Sequence, residues 1–388
     1  MALTLTYGMA APTNMPSAPR PGEARLRPKD REDIMGKRIA VVGVGALGGY
    51  VGGYLAQNGH DVTLIDMWPE NIEAIRTRGL LLDGVTPEEK FTVTKAKTMH
   101  LTELQDLSRQ KPIDIAFVAV KSYDTEWATA MIRQYLSPDG FVVSLQNCLN
   151  EERIAGVVGW GKTVGMVASL ISVDMYEPAT IRRTVAKGGD KHTVFRVGEV
   201  HGRITKRVEE LREMVGMIDS AKTTTNLWGE RWSKLCQNGM KNGVSAATGL
   251  TGSDCDRNDT IRRFSIQLGG EAVRIGQALG YHIEKIGKME PETLARASEN
   301  DKAALDEIEA ILRPGSNTNP NPRADIQRPS MAQDIRKGRR TEIEFMNGYI
   351  AERGAYIGVK APAHVKLTEI VKKVERQEVK AAPALLGG

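Results

Sequence analysis

The sequence predicts an α/β domain built on a doubly wound parallel sheet, followed by an all-α domain. Three observations carry this. The chain has 388 residues, more than the roughly 150 that one ordinary core accommodates. Between residues 37 and 225, short runs of nearly continuous apolar character alternate with longer stretches of helical spacing. That is the pattern of strands covered on both faces and joined by crossover helices. Beyond residue 226 the strand runs stop and only helical periodicity remains.

Taken in order, residues 1–36 contain APTNMPSAPRPGEARLRPKDRED, which has neither period and reads as a flexible tail; packing against a partner subunit is the alternative. In the 37–225 domain RIAVVG, DVTLID, IDIAFVAV, FVVSLQN and TVGMVASLISV read as strands. LGGYVGGYLAQNG, NIEAIRTRG, YDTEWATAMIRQYL and NEERIAGVV read as the helices between them. Residues 174–200 look like added antiparallel strands, followed by a helix over 206–217. In the 226–388 domain, WGERWSKLCQNGMKNGVSAATG, TIRRFSIQLGGEAVRIGQALG, KAALDEIEAILR, SMAQDIRKGRRTEIEFMNGYIAERGAYIG and APAHVKLTEIVKKVE read as helices. Between the third and fourth lies RPGSNTNPNPRADIQRP, a polar Pro/Asn loop long enough to be functional or mobile.

Composition excludes several function classes. With 41% apolar and 26% charged residues the chain is a globular protein of ordinary make-up. Its 53 basic residues are interspersed with 48 acidic ones, for a net charge of +5, so no nucleic-acid groove is expected. Cys148, Cys236 and Cys255 lack metal-ligand spacing and are odd in number. They predict neither a disulfide framework nor a metal site, and they suit the reducing cytoplasm. No stretch of about 18 apolar residues is available to span a membrane, and the N-terminus lacks a signal-peptide pattern.

The strongest local signal is RIAVVGVGALGGYVGGYLAQNGHDVTLID at 38–66, in which strand, glycine turn, helix and second strand follow one another. In the turn Gly43-Val44-Gly45-Ala46-Leu47-Gly48, the first glycine permits the tight bend and the second lets backbone approach a pyrophosphate. The third lets helix and strand pack closely. The helix N-terminus then presents N–H groups and partial positive charge to the anion. Asp66, at the end of the second strand, can accept hydrogen bonds from the ribose hydroxyls of the adenosine and would repel a 2′-phosphate. This Rossmann-type unit predicts a nicotinamide dinucleotide, NAD(H) ahead of NADP(H), with FAD or a simple capping role for Asp66 as the competing readings. The expected partner is therefore a small-molecule substrate.

Hydride transfer to a carbonyl needs a proton donor and polar groups that fix the substrate. Lys121 and Asn147 follow predicted strands at the sheet edge where ligands bind, although a lysine there is often a solvated charge. KLCQNGMKN places Lys234, Asn238 and Asn242 at i, i+4 and i+8 on one helix face. Asparagine costs a helix roughly 0.6 kcal/mol relative to alanine, so two of them aligned with a lysine need a reason. Spacing alone fits an exposed polar stripe. Ser330 stands at a helix start as a candidate N-cap. Asp334, Glu342 and Glu344 are suited to pair on the surface with Arg336, Lys337, Arg339 and Arg340.

GVGALGG at 43–49, VAVKSYDT at 118–125, LQN at 145–147, WSKLCQNGMKN at 232–242 and SMAQDIRKGRRTEIEFMNG at 330–348 together resemble the ketopantoate reductase (2-dehydropantoate 2-reductase) family. The resemblance implies that Lys234 is the general acid. It also implies that Asn238, Asn242 and Ser330 position the substrate, that Asn147 and Glu342 lie at the cofactor–substrate junction, and that Lys121 lies nearby. Three departures stand out. Cys148 replaces the glycine that usually follows LQN and is expected to place a side chain beside the nicotinamide; the second domain is enlarged around 285–329; and Asp66 stands where NADP-using relatives present a basic residue. These departures point to a paralogue acting on another 2-keto or 2-hydroxy acid or a related alcohol. A non-catalytic dinucleotide-binding redox sensor and an opine-type dehydrogenase are the alternatives. The amphipathic second-domain helices are compatible with a homodimer.

Overall fold

The computed structural model describes residues 36–313 and 328–387. The predicted tail, apart from Gly36, and most of the Pro/Asn loop lie outside the described residues. The chain opens with β1 (Arg38–Val42), α1 (Ala46–Gln57), β2 (Asp61–Asp66) and α2 (Pro69–Arg78). Short strands β3 (Leu80–Asp83), β4 (Lys90–Val93) and β5 (Lys97–His100) precede β6 (Ile113–Val118), α3 (Thr125–Arg133), β7 (Leu136–Ser144), α4 (Glu151–Val158) and β8 (Thr163–Ala168). Then come β9 (Val173–Glu177), β10 (Thr180–Arg183), β11 (Phe195–Glu199), α5 (Lys206–Gly216) and β12 (Ala221–Thr223).

Eight strands form the main sheet in the order β12-β11-β8-β7-β6-β1-β2-β5. The five strands legible in the sequence are its contiguous, mutually parallel centre, β8-β7-β6-β1-β2. Their buried, branched side chains face helices on both sides, which is why they read as unbroken apolar runs. Strand β11 pairs antiparallel with β8, so the sheet is not wholly parallel. Strands β3, β4, β5 and β12 escaped prediction because runs of three or four residues, several of them exposed, establish no period. The added strands of residues 174–200 also divide: β11 joins the main sheet, whereas β9 and β10 build a second sheet of order β4-β3-β10-β9. Helix α1 is pressed between the two sheets, so that a Cβ at Gly49 would lie 2.6 Å from Ile181 and one at Gly52 would lie 2.6 Å from Leu64. This close approach explains its repeated glycine pairs.

The helical half comprises α6 (Leu227–Thr248), α7 (Gly252–Arg257), α8 (Asp259–Ala278), α9 (Pro291–Ser298), α10 (Lys302–Leu312), α11 (Ser330–Arg336), α12 (Asn347–Tyr356) and α13 (Pro362–Glu375). Helix α6 runs from an Asn226 side-chain cap to Gly249 in the left-handed conformation, the polar start and glycine stop that end helices cleanly. Its Trp232 is fully buried among the neighbouring helices. The single helix expected over 330–358 is broken into α11, a 3-10 turn at Ile343–Phe345 and α12. Gly338 adopts φ +62°, and the Arg339 N–H turns back to the Asp334 carbonyl at 2.9 Å. Ser330 is the first helical residue rather than the cap, a position held by Pro329. Among the described residues no helix is long and apolar enough to cross a membrane.

Candidate active site

Register aligns Val42 with both Ile65 and Val118, so the carboxyl ends of β1, β2 and β6 come level where the strand order reverses. Ligands of open α/β sheets bind at such a point. A cleft of about 710 Å³ opens there between the two halves of the molecule. Its walls include residues 43–47, Asp66, Lys121 and Asn147 from the sheet half, and Lys234, Asn238, Asn242, Ser330 and Glu342 from the helical half. Gly48, the last residue of the predicted turn, packs behind that wall.

The turn after β1 has three different glycines. Gly43 adopts φ +97°, and a Cβ there would lie 2.6 Å from the Val120 nitrogen. At Gly48 a Cβ would collide with the Gly43 carbonyl oxygen, whereas at Gly45 it would meet no atom within 4 Å. Gly45 therefore leaves room in front of the α1 N-terminus, whose first N–H groups have no intrahelical acceptor. A bare, positively polarised cradle fits a dinucleotide pyrophosphate. Asp66 braces the same turn: its Oδ2 accepts the Val44 N–H at 2.7 Å and its Oδ1 the Trp68 N–H at 3.1 Å. Burial raises the Asp66 pKa, opposed by those N–H donors.

Helix α6 is fastened to the sheet by Arg231. Its guanidinium donates to Glu151 Oε1 at 2.7 Å, to the Gln146 carbonyl at 2.6 Å and to the Ser144 carbonyl at 2.8 Å. About two and three turns further along, Asn238 Nδ2 donates to Asn147 Oδ1 at 3.2 Å and Asn242 Nδ2 approaches Ser330 Oγ at 3.5 Å. The exposed-stripe reading is thus corrected, since Asn238 and Asn242 are 8% and 7% exposed and line the cleft. Lys234 lies on the same face without an ion-pair partner among the described residues. Burial, assisted by the charge of Arg196, pulls its pKa down to about 8.

Lys121 is not a solvated surface charge. Its Nζ lies 2.5 Å from Asp334 Oδ2 and 3.4 Å from Glu342 Oε2, both on the helical half. Burial opposes its charge, but the two carboxylates prevail and hold it protonated well above the usual lysine range. Glu342 Oε1 also accepts the N–H and hydroxyl of Ser122, at 2.9 and 2.8 Å. Asp334 and Glu342 are therefore buried rather than surface partners of the nearby arginines; Glu344, paired with Arg340 and Lys372, does remain on the surface. Ser122, Arg231 and Glu151 were not anticipated. A buried arginine and a surface arginine look alike in sequence.

The expectation for Cys148 needs correction. The side chain is buried in the apolar core of the helical half and is absent from the cleft wall. Its backbone has φ +66°, a left-handed conformation natural to the glycine that the family resemblance leads one to expect. Burial raises the thiol's pKa, so it is an inert packing group.

The profile described as "Ketopantoate reductase PanE/ApbA" matches residues 39–194, and that of its C-terminal region matches residues 226–375. The chain belongs to the ketopantoate reductase family. As a ketopantoate reductase-type protein it is an NAD(P)-dependent oxidoreductase acting on a CH–OH group. It is similar to the 2-dehydropantoate 2-reductase of Pyrococcus horikoshii, 29% identical over 341 residues that span 87% of this chain and 97% of that protein. A solved 2-dehydropantoate 2-reductase from Geobacter metallireducens is 26% identical, with a TM-score of 0.68, and covers 87% of this chain and 99% of its own. D-mandelate dehydrogenase, solved with NADH and anilino(oxo)acetate, shares the fold at 20% identity and a TM-score of 0.71, over 88% of this chain and all of that one.

Proposed function

We propose that this ketopantoate reductase-family chain reduces the carbonyl of a 2-keto acid, or oxidises the corresponding 2-hydroxy acid, with NAD(H) preferred over NADP(H). The observation that carries the reading is Lys234, an ammonium without a counter-ion among the described residues, on the cleft face that also bears Asn238 and Asn242. A bound nicotinamide dinucleotide supplies the hydride in reduction and accepts it in oxidation. Gly43, Val44, Gly45, Ala46, Leu47 and Gly48 form the turn proposed to hold its pyrophosphate, with Asp66 at the adenosine ribose. Lys121, Asn147 and Glu342 are assigned to the region between cofactor and substrate.

In reduction Lys234 Nζ gives its proton to the oxygen that becomes an alkoxide, and its charge stabilises that oxygen beforehand. In oxidation the neutral amine takes the proton back. Asn238, Asn242 and Ser330 offer the donors and acceptors that orient the carboxylate and neighbouring groups, with Asn147 closing the ring of contacts from the sheet side. Asp66 favours an unphosphorylated ribose because its carboxylate repels a 2′-phosphate.

Burial of Cys148 away from the cleft removes one argument for an unusual substrate, so 2-dehydropantoate belongs first in any substrate panel. A homodimer is proposed alongside, to be checked by sedimentation. The central experiment is Lys234→Ala. Turnover should fall by about 10³-fold while NADH binding changes little, within the range expected for loss of a general acid and a fixed charge. Retained turnover would remove Lys234 from the mechanism.

A further inference from the structure

Behind the cleft wall, a short chain of hydrogen bonds has a direction that its chemistry fixes. Ser122 opens the 3-10 turn after β6 and is 1% exposed, while Asn150 precedes α4 and is fully buried. Asn150 Nδ2 lies 2.9 Å from the Asn147 carbonyl oxygen and 3.1 Å from Ser122 Oγ. A carbonyl only accepts, so the Asn150 atom facing it is the amide nitrogen rather than the oxygen. That nitrogen can only donate to the Ser122 hydroxyl oxygen. The hydrogen of the hydroxyl is then left for Glu342 Oε1, 2.8 Å away. The Ser122 N–H reaches the same Oε1 at 2.9 Å, and the Thr125 hydroxyl holds the turn by donating to the Ser122 carbonyl at 2.8 Å.

Glu342 therefore meets two donors on one oxygen and faces the Lys121 ammonium with the other. The last torsion of a glutamate is broad and roughly two-fold, so an unbraced carboxylate turns easily. Two donors from a single residue on a buried turn stop that rotation. Oε2, 3.4 Å from Lys121 Nζ, keeps acceptor capacity for a hydroxyl in the cleft that Glu342 lines. The same Asn150 nitrogen steadies the backbone of Asn147, whose side chain accepts from Asn238. One series of bonds thus runs from helix α6 to the carboxylate.

We propose that Ser122 is a positioning residue for hydride transfer: its N–H and hydroxyl lock the Glu342 carboxylate at one rotation, so that Oε2 meets a hydroxyl of the bound molecules in the productive orientation. The inference rests on the assignment of Glu342 to the region between cofactor and substrate. Ser122 acts from behind the wall, through Glu342. The arrangement also separates two tasks. Glu342, with donors at both oxygens, serves as an acceptor, and the proton for the alkoxide comes from Lys234.

A double-mutant cycle of Ser122→Ala and Glu342→Ala in the full-length protein tests this, with steady-state reduction of 2-dehydropantoate by NADH and thermal melts of the same samples. Ser122→Ala should lower kcat by about tenfold or more, the worth of one hydrogen bond to a charged group. KM for the keto acid and Kd for NADH should change by less than about threefold, because the carboxylate is still present and only its alignment is lost. In the Glu342→Ala background the same substitution should cost less than about twofold, its target being gone. Losses that multiply across the cycle, or an unaltered kcat in Ser122→Ala whatever its melting temperature, would overturn the positioning role and leave Ser122 a structural residue. Wild-type kcat in Glu342→Ala would overturn the placement of Glu342 instead. Absence of turnover in the wild type would overturn the reading of function, and the role of Ser122 with it.

Discussion

Lys121 Nζ and Asp334 Oδ2 lie 2.5 Å apart across the cleft, tying the carboxyl end of β6 to helix α11 of the other half. Glu342 shares the same ammonium at 3.4 Å. Removing Lys121 would leave two buried carboxylates facing each other without the ammonium they share. Lys121→Ala is therefore expected to cost about 2 kcal/mol or more, somewhat below the range for fully buried pairs because Lys121 keeps partial access to water. Urea unfolding measures it; an unchanged midpoint would show that the two halves do not depend on this contact.

The pH dependence should follow Lys234. With a pKa pulled down to about 8, it is mostly protonated at pH 7 and loses its proton as the pH rises through that value. A general acid must hold its proton, so the rate of carbonyl reduction is expected to fall above pH 8. The rate of alcohol oxidation, which needs the neutral amine, should rise over the same interval. Parallel profiles in the two directions would assign the titration to another group.

The glycine turn separates binding from folding. Gly45 has φ −75° and a Cβ there meets nothing, so Gly45→Ala should melt at the wild-type temperature yet bind NADH at least about tenfold more weakly, because the methyl occupies the cradle. Gly48→Ala drives a methyl into the Gly43 carbonyl and should destabilise by about 1–3 kcal/mol, the usual cost of overpacking. Thermal melts and NADH fluorescence titrations of both variants would reveal the reverse pattern if the turn has been misread.

At Cys148 two effects nearly cancel. Substituting glycine relieves a left-handed backbone that costs a non-glycine residue about 1–2 kcal/mol. It also loses a buried side chain and adds chain entropy, each about 1 kcal/mol. Cys148→Gly should stay within about 1 kcal/mol of wild type, whereas Cys148→Val should lose more than about 2 kcal/mol because branching at Cβ suits this φ poorly. Equal stability of the two variants, read from their melting curves, would mean that the φ of +66° carries no strain.

The sequence by itself determined the central strands, the glycine turn with Asp66 and most of the long helices. Each is governed by interactions among residues close in the chain: a run of branched apolar side chains, a polar cap, a glycine where a bend is needed. It also aligned Lys234, Asn238 and Asn242, because helical spacing is local. Tertiary structure alone decided that this face is buried in a cleft. Arg231 and Glu151, some eighty positions apart, fasten α6 to the sheet, and no local pattern distinguishes that arginine from a solvated one. The same holds for Lys121 with Asp334 and Glu342. A charge acquires its partner, and with it its pKa and its role, only when distant segments meet and water is excluded between them.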